Sequence, residues 1–278
     1  MKLVTFEHQT RMSAGVWLDH EVVDLGVSMM ELLQDGQGIP DRVSRLMRSA
    51  PRVPASAVRI LAPVPRPGKI ICVGQNYLDH CREQKVDPPT SPILFAKFNN
   101  AVSSAGAAIR LPALSQKIDY EAELAFVIGK GGRHIEEAGA LDHIAGYTCV
   151  NDVSARDIQA FDKQWTRAKS FDTFCPMGPF LVTSDEIPDP QALSVRCTVS
   201  GEVLQDSSTS LMIFSCAFLI SFISRSITLE AGDLVTTGTP HGVGVFRNPQ
   251  RFLRSGDTVT VSIERVGDLT NPVISDEA

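Results

Sequence analysis

The 278-residue chain has no surplus of basic charge: 26 Lys and Arg stand against 32 Asp and Glu, a net charge of −6. That excludes a general nucleic-acid binder. It has no long hydrophobic run. The longest uncharged stretch, 207–224, falls short of the roughly 20 residues a bilayer span needs, and a buried helix is expected over its apolar part, 211–224. Its six cysteines (Cys72, Cys81, Cys149, Cys175, Cys197 and Cys216) include no C-x-x-C pair, so neither a zinc cluster nor a thioredoxin-type motif is written. With no leader pattern in the opening residues and thiols best kept reduced, a cytoplasmic protein is expected. There is no G-x-x-x-x-G-K-S/T phosphate loop and no G-x-S-x-G elbow around Ser154. Internal repeats, low-complexity tracts and regular βαβ alternation are missing too. What remains is an ordinary globular composition, 43% hydrophobic and 21% charged, able to bury a sizeable core.

Short strand candidates at 2–6, 15–18 and 21–25 and helical stretches near 28–33 and 41–47 make a small α/β module at the N-terminus. Pro51, Pro54, Pro63, Pro65 and Pro67 follow. Prolines at that density mark a linker or a docking segment, so a boundary is expected with residues 1–66 before it and 67–278 after it. The second part shows strand candidates at 69–74, 93–97, 122–128, 147–151, 180–183, 194–199, 234–237 and 258–263. Helix candidates are few: 79–84, 135–141, 155–161 and 211–224. The pattern is α+β and β-dominated.

The most informative run is Asp119-Tyr120-Glu121-Ala122-Glu123-Leu124-Ala125-Phe126-Val127-Ile128-Gly129. It reads as a strand, in which Glu121 and Glu123 point the same way. Two carboxylates in an apolar strand repel each other and are costly to desolvate, so a positive group belongs between them. Asp152 ends the next apolar run, 144–152, and adds a third carboxylate. An all-oxygen set without clustered Cys or His suits a hard cation, Mg²⁺ or Mn²⁺. The competing reading is a solvated edge strand that happens to carry alternating Glu.

In residues 72–83 a strand runs through a turn into a short helix. His80 and Glu83, three apart, share a helix face. A carboxylate beside an imidazole fixes its tautomer and raises its basicity, which makes a general-base pair. The plainer alternative is a surface His with a polar neighbour. Arg156 and Lys169 are local cations suited to a carboxylate substrate, although most lysines are simply exposed. Residues 236–245 form a Gly-rich, Thr-bearing loop whose N–H groups suit an anion. His241 within it reads as a loop residue rather than a metal ligand.

Taken jointly and in this order, Val73-Gly74-Gln75-Asn76-Tyr77, Asp119-Tyr120-Glu121-Ala122-Glu123-Leu124, Asn151-Asp152-Val153-Ser154-Ala155-Arg156-Asp157 and Thr237-Gly238-Thr239-Pro240 resemble the fumarylacetoacetate hydrolase superfamily. The likeness is nearest to its domain-containing protein 2 subgroup and covers roughly 69–266. It implies a mixed β-sandwich roll, usually a homodimer. It implies Glu121, Glu123 and Asp152 as ligands of Mg²⁺ or Mn²⁺, His80 with Glu83 as a water-activating dyad, and Lys169 as the catalytic lysine. Gln159 and Thr239 then contact the substrate, with Tyr77 and Arg156 completing the binding set. The implied activity is metal-dependent C–C hydrolysis of a 2,4-dioxo, acylpyruvate-like acid through a metal-bound enolate. The alternatives are oxaloacetate decarboxylation or keto–enol tautomerisation, isomerisation of the 2-hydroxyhepta-2,4-diene-1,7-dioate type, and, outside catalysis, a silent metal-binding scaffold. Two departures bear on the pocket. His241 stands where Pro or Ala is frequent, and the 160–164 segment is shorter than in acylpyruvase-like members.

Overall fold

The strand Ala122–Ile128 is buried at every residue. The reason is its place: it pairs with Ile144–Asn151 on one side and with Leu234–Thr236 on the other. It is therefore a central strand, and the solvated-edge reading of its glutamates does not hold. A computed structural model describes residues 1–34 and 38–276, and in it this strand lies within a 12-stranded mixed sheet. From Ala122–Ile128 the sheet continues through Leu234–Thr236 and Ile70–Gly74 to Ile93–Ala96. In the other direction it runs through Ile144–Asn151 and Cys175–Thr183 to Lys2–His8 and the other N-terminal strands. A second, five-stranded sheet, ordered Glu202–Ser208, Ser194–Val199, Thr258–Ile263, Gly267–Ser275 and Ile109–Leu111, packs against the first. The result is the expected β-dominated α+β sandwich, with one continuous core between the layers.

Two strands of the proline-rich passage join the large sheet. Arg52–Pro54 pairs with Glu21–Asp24 at the sheet margin, and Arg59–Leu61 pairs with Lys2–His8. Proline is tolerated in such marginal strands because a missing N–H costs little there. Lys2–His8 also pairs with Cys175–Thr183, with Leu3 opposite Leu181. The sheet thus runs unbroken across the expected 66/67 boundary.

Two expected helices are corrected. Residues 135–141 form a 3₁₀ segment displaced to Glu137–His143. The apolar stretch 211–224 becomes helical only at Cys216–Ser224, because Ser215 caps it by accepting the Phe218 N–H at 3.1 Å. Leu219, Ile220 and Ile223 then face the core. No helix among the described residues is long and apolar enough to cross a membrane.

Candidate active site

Ala122 lies opposite Asn151 in the register, and the Asp152 N–H donates to the Glu121 carbonyl at 2.9 Å. This brings the ends of two neighbouring strands together. The Asn151 side chain locks the junction by accepting the Glu121 N–H at 3.0 Å. Glu121, Glu123 and Asp152 consequently converge, each offering an oxygen within 4.8 Å of the others, and all three are buried. These are the three carboxylates expected from the sequence.

Their surroundings are strongly charged. The Lys169 ammonium donates to Glu121 Oε2 at 2.7 Å and to Asp152 Oδ2 at 2.8 Å, and sits 5.2 Å from the centre of the Phe95 ring. Arg156 donates through Nε to Asp119 at 2.8 Å and places Nη2 2.6 Å from Glu121 Oε1. Lys97, buried, donates to Asp152 Oδ1 at 2.5 Å and to the Val153 carbonyl at 3.2 Å. Burial pushes Glu121 upward, but Lys169 and Arg156 outweigh it and hold the carboxyl down to about 2. Burial disfavours the charged form of Lys169, yet Asp152 and Glu121 raise its pKa, so it stays an ammonium. Glu123 behaves differently. Burial, reinforced by Asp152 and Glu121, pushes its carboxyl well above the ordinary range. It accepts a hydrogen bond from the Gly238 N–H at 2.9 Å.

This donor set fits a hard divalent cation. It consists of carboxylate oxygens, and the burial and neighbouring carboxylates that push the Glu123 pKa upward are what a bound cation would offset. Asp119, Glu121, Glu123 and Asp152 face three cations, Lys97, Lys169 and Arg156. Fully ionised, the group carries one excess negative charge; a divalent ion would turn that into one excess positive charge and draw in an anionic substrate.

A cavity of about 310 Å³ opens over the group, lined among others by His80, Glu121, Glu123, Arg156, Gln159, Lys169 and Thr239. His80 projects from the helix Leu78–Gln84, its Nδ1 3.0 Å from Glu83 Oε2. Glu83 Oε1 accepts the Gly242 N–H at 2.9 Å. With Nδ1 facing a carboxylate, the Nδ1–H tautomer is favoured and Nε2 is the nitrogen left for chemistry. Phe95, Trp165 and Phe246 supply apolar walls.

The remaining expected contacts divide. Gln159 lines the cavity and accepts from Arg156 Nη1 at 3.1 Å. The Thr239 hydroxyl also lines it, but donates to the Ala122 carbonyl at 3.0 Å and accepts from Gln205 at 2.8 Å, which fixes the loop to the strand. Arg156 is engaged by Asp119 and Glu121, so its charge is spent largely on the protein's own carboxylates. Tyr77 is fully buried and does not line the cavity. Lys97 and Asp119 are functional neighbours that sequence reasoning did not single out. The one available hint for Lys97 was its place at the end of an apolar strand candidate.

Comparison with known proteins agrees with this geometry. The family model for the fumarylacetoacetate (FAA) hydrolase C-terminal region matches residues 69–274. The chain is 44% identical to oxaloacetate tautomerase fahd2, mitochondrial, of Xenopus laevis, covering 99% of this chain and 90% of that one. Among solved structures, fumarylacetoacetate hydrolase from Exiguobacterium antarcticum superposes with a TM-score of 0.88 at 38% identity, covering 99% of this chain and 100% of that one. Maleylpyruvate hydrolase from Sphingobium, in complex with manganese (II) ion and pyruvate, superposes with a TM-score of 0.84 at 28% identity over 100% of both chains. With the sheet order, the acidic trio and these matches in agreement along almost the whole length, the chain belongs to the fumarylacetoacetate hydrolase family.

Proposed function

We propose that this protein interconverts the keto and enol forms of oxaloacetate with a divalent metal, Mg²⁺ or Mn²⁺, held by Glu121, Glu123 and Asp152. The observation that carries the reading is the placing of His80, backed by Glu83, on the same cavity as the acidic trio and Lys169. The tautomerase name of the Xenopus relative reverses the order expected from sequence, in which C–C hydrolysis came first.

Held by Glu121, Glu123 and Asp152, a divalent ion would supply Lewis acidity toward the 2-oxo carboxylate end of the substrate. His80 Nε2 takes the C3 proton of the keto form, and Glu83 stabilises the imidazolium that results. The Lys169 ammonium offsets negative charge gathering on the C2 oxygen. Return of the proton from His80 to C3 runs the reaction backward, whereas its delivery from His80 to the C2 oxygen completes the enol and leaves the imidazole neutral again. Nothing in the sequence of steps demands an attacking water, and Phe95, Trp165 and Phe246 give the cavity apolar walls.

A second reading keeps support from the same pair. His80 with Glu83 suits activation of a water for hydrolysis of a 2,4-dioxo acid, and a solved relative is a maleylpyruvate hydrolase. The two readings separate in one experiment. Chelated protein, with Mg²⁺ or Mn²⁺ then restored, is followed by NMR on oxaloacetate and on acetylpyruvate. Metal-dependent acceleration of keto–enol exchange without loss of CO₂ is expected for oxaloacetate. Pyruvate plus acetate from acetylpyruvate, with exchange unchanged, would replace the tautomerase by the hydrolase, and release of CO₂ would mark a decarboxylase.

A further inference from the structure

The helix Leu78–Gln84 has seven residues and no side-chain N-cap. A helix that short does not hold itself in water, so its orientation comes from what it is fastened to. Asp79 and Glu83, four apart, lie on one face of it. Asp79 Oδ2 accepts from Ser207 Oγ at 2.6 Å and lies 2.9 Å from His241 Nδ1. Glu83 Oε1 accepts the Gly242 N–H, and the His80 ring stands edge-on to Phe246 at 5.9 Å. The loop 239–246 therefore grips the helix at its first and last turns.

The loop itself is pinned. Gly242 has φ +98°, and a β-carbon there would collide with the Leu204 carbonyl. The Pro240 carbonyl accepts from Gln205 at 2.9 Å. With its neighbours fixed on both sides, the His241 imidazole is held toward Asp79. Two of the three arginines sharing its concavity have carboxylates of their own: Arg251 pairs with Asp257 at 2.7 Å, and Arg247 lies 3.6 Å from Glu202. His241 is 47% exposed in its side chain, and Asp79, 13% exposed, keeps its hydrogen bond from Ser207 Oγ when the His241 contact is lost.

We propose that His241 is a positioning residue: its contact with Asp79 sets the angle of the helix that carries the His80–Glu83 dyad. It acts through Asp79 and touches no reacting atom. The role rests on the proposed tautomerase reading for its kinetic consequence, since proton transfer requires Nε2 to be aimed at C3, and a displacement of about 1 Å costs up to roughly 100-fold in rate.

The test compares His241→Ala, His241→Asn, Asp79→Ala and the His241→Ala/Asp79→Ala pair, all metal-loaded and full-length. His241→Ala is expected to lower kcat for oxaloacetate exchange about tenfold with KM and manganese affinity little changed. His241→Asn, whose amide nitrogen falls near the place of Nδ1, should restore most of that loss. In the Asp79→Ala background, His241→Ala should add nothing. A kcat within a factor of two of the parent, failure of Asn to rescue, or additive losses would each overturn the assignment. If the parent shows no exchange activity, the tautomerase reading fails instead. The role of His241 is then read from the His80 ring ¹⁵N signals, which His241→Ala should move and His241→Asn should not.

Discussion

Asp119, Glu121 and Asp152 each touch a lysine or arginine, whereas Glu123 accepts a peptide N–H and has its pKa pushed upward by burial, Asp152 and Glu121. The sign of the pH dependence follows. The unfolded chain releases this proton near the ordinary value of 4.5 and the folded, metal-free chain later, so Glu123 costs stability as pH rises above 4.5. Metal binding should tighten over the same range and release roughly one proton per ion, measurable by calorimetry in two buffers of different ionisation enthalpy. No proton release would contradict the raised Glu123. Glu123→Gln should leave the metal-free protein at least as stable while weakening manganese binding beyond the roughly 10–100-fold that loss of an outer-shell partner costs. Glu121 works in the opposite sense. With its carboxyl held at about 2, it contributes stability above pH 4.5 that is lost as pH falls toward 2. Lys97 differs from both: Lys97→Met leaves the buried Asp152 with one cation fewer, and a cost of about 3–5 kcal/mol in chemical denaturation is expected. A loss under 1 kcal/mol would show that Lys169 alone compensates Asp152.

At the scale of elements, the loop after Leu234–Thr236 organises more of the site than its sequence suggests. Its Gly244 N–H donates to Asp119 Oδ1 at 2.7 Å and the Val245 N–H to Oδ2 at 3.0 Å, which fixes the carboxylate that Arg156 grips. A β-carbon at Gly244 would collide with the Arg251 carbonyl. Gly244→Ala should therefore destabilise by about 1–3 kcal/mol and lower activity through Arg156. Denaturation and exchange kinetics unchanged together would contradict this. Legibility from sequence follows the same physics. The strands 122–128, 194–199 and 258–263 were readable to the residue because their apolar periodicity is strong. Glu202–Ser208 and Gly267–Ser275 were not, since both are polar and carry little hydrophobic pattern. Glu121 with Glu123 and His80 with Glu83 were readable because their spacing is local, whereas Asp152 was tied to the first pair by its place at the end of the next apolar run and by the family resemblance. Lys97 was not, because its partner Asp152 is 55 positions away and an isolated lysine looks the same whether buried or solvated.

At the scale of the molecule, the sheet joins what composition divides. Lys2 and Leu3 pair with Val182 and Leu181, and the chain's amino terminus donates to Thr183 Oγ1 at 2.5 Å. Detaching residues 1–66 would bare one edge of the strand Cys175–Thr183, with Leu181 and Val182 losing their cover. One cooperative unfolding unit is therefore expected rather than two. The chain's two tryptophans stand on either side of the proline-rich passage. Trp17 lies 5.6 Å from Phe180, across the joint between the N-terminal strands and the rest, while Trp165 stands edge-on to Phe95 beside the cavity, 5.3 Å away. Trp165→Phe leaves Trp17 as the sole tryptophan, and Trp17→Phe leaves Trp165, each read by selective tryptophan excitation. In guanidinium titrations the fluorescence transition of each variant should coincide with its own circular-dichroism transition. If the Trp17 signal changed at lower denaturant than the circular dichroism of the same variant, the first 66 residues would unfold on their own and the proline-rich passage would be a true boundary. Coincidence in both variants would instead make every contact along the Leu3–Leu181 seam a contributor to the stability of the active site, although that seam lies outside the cavity wall.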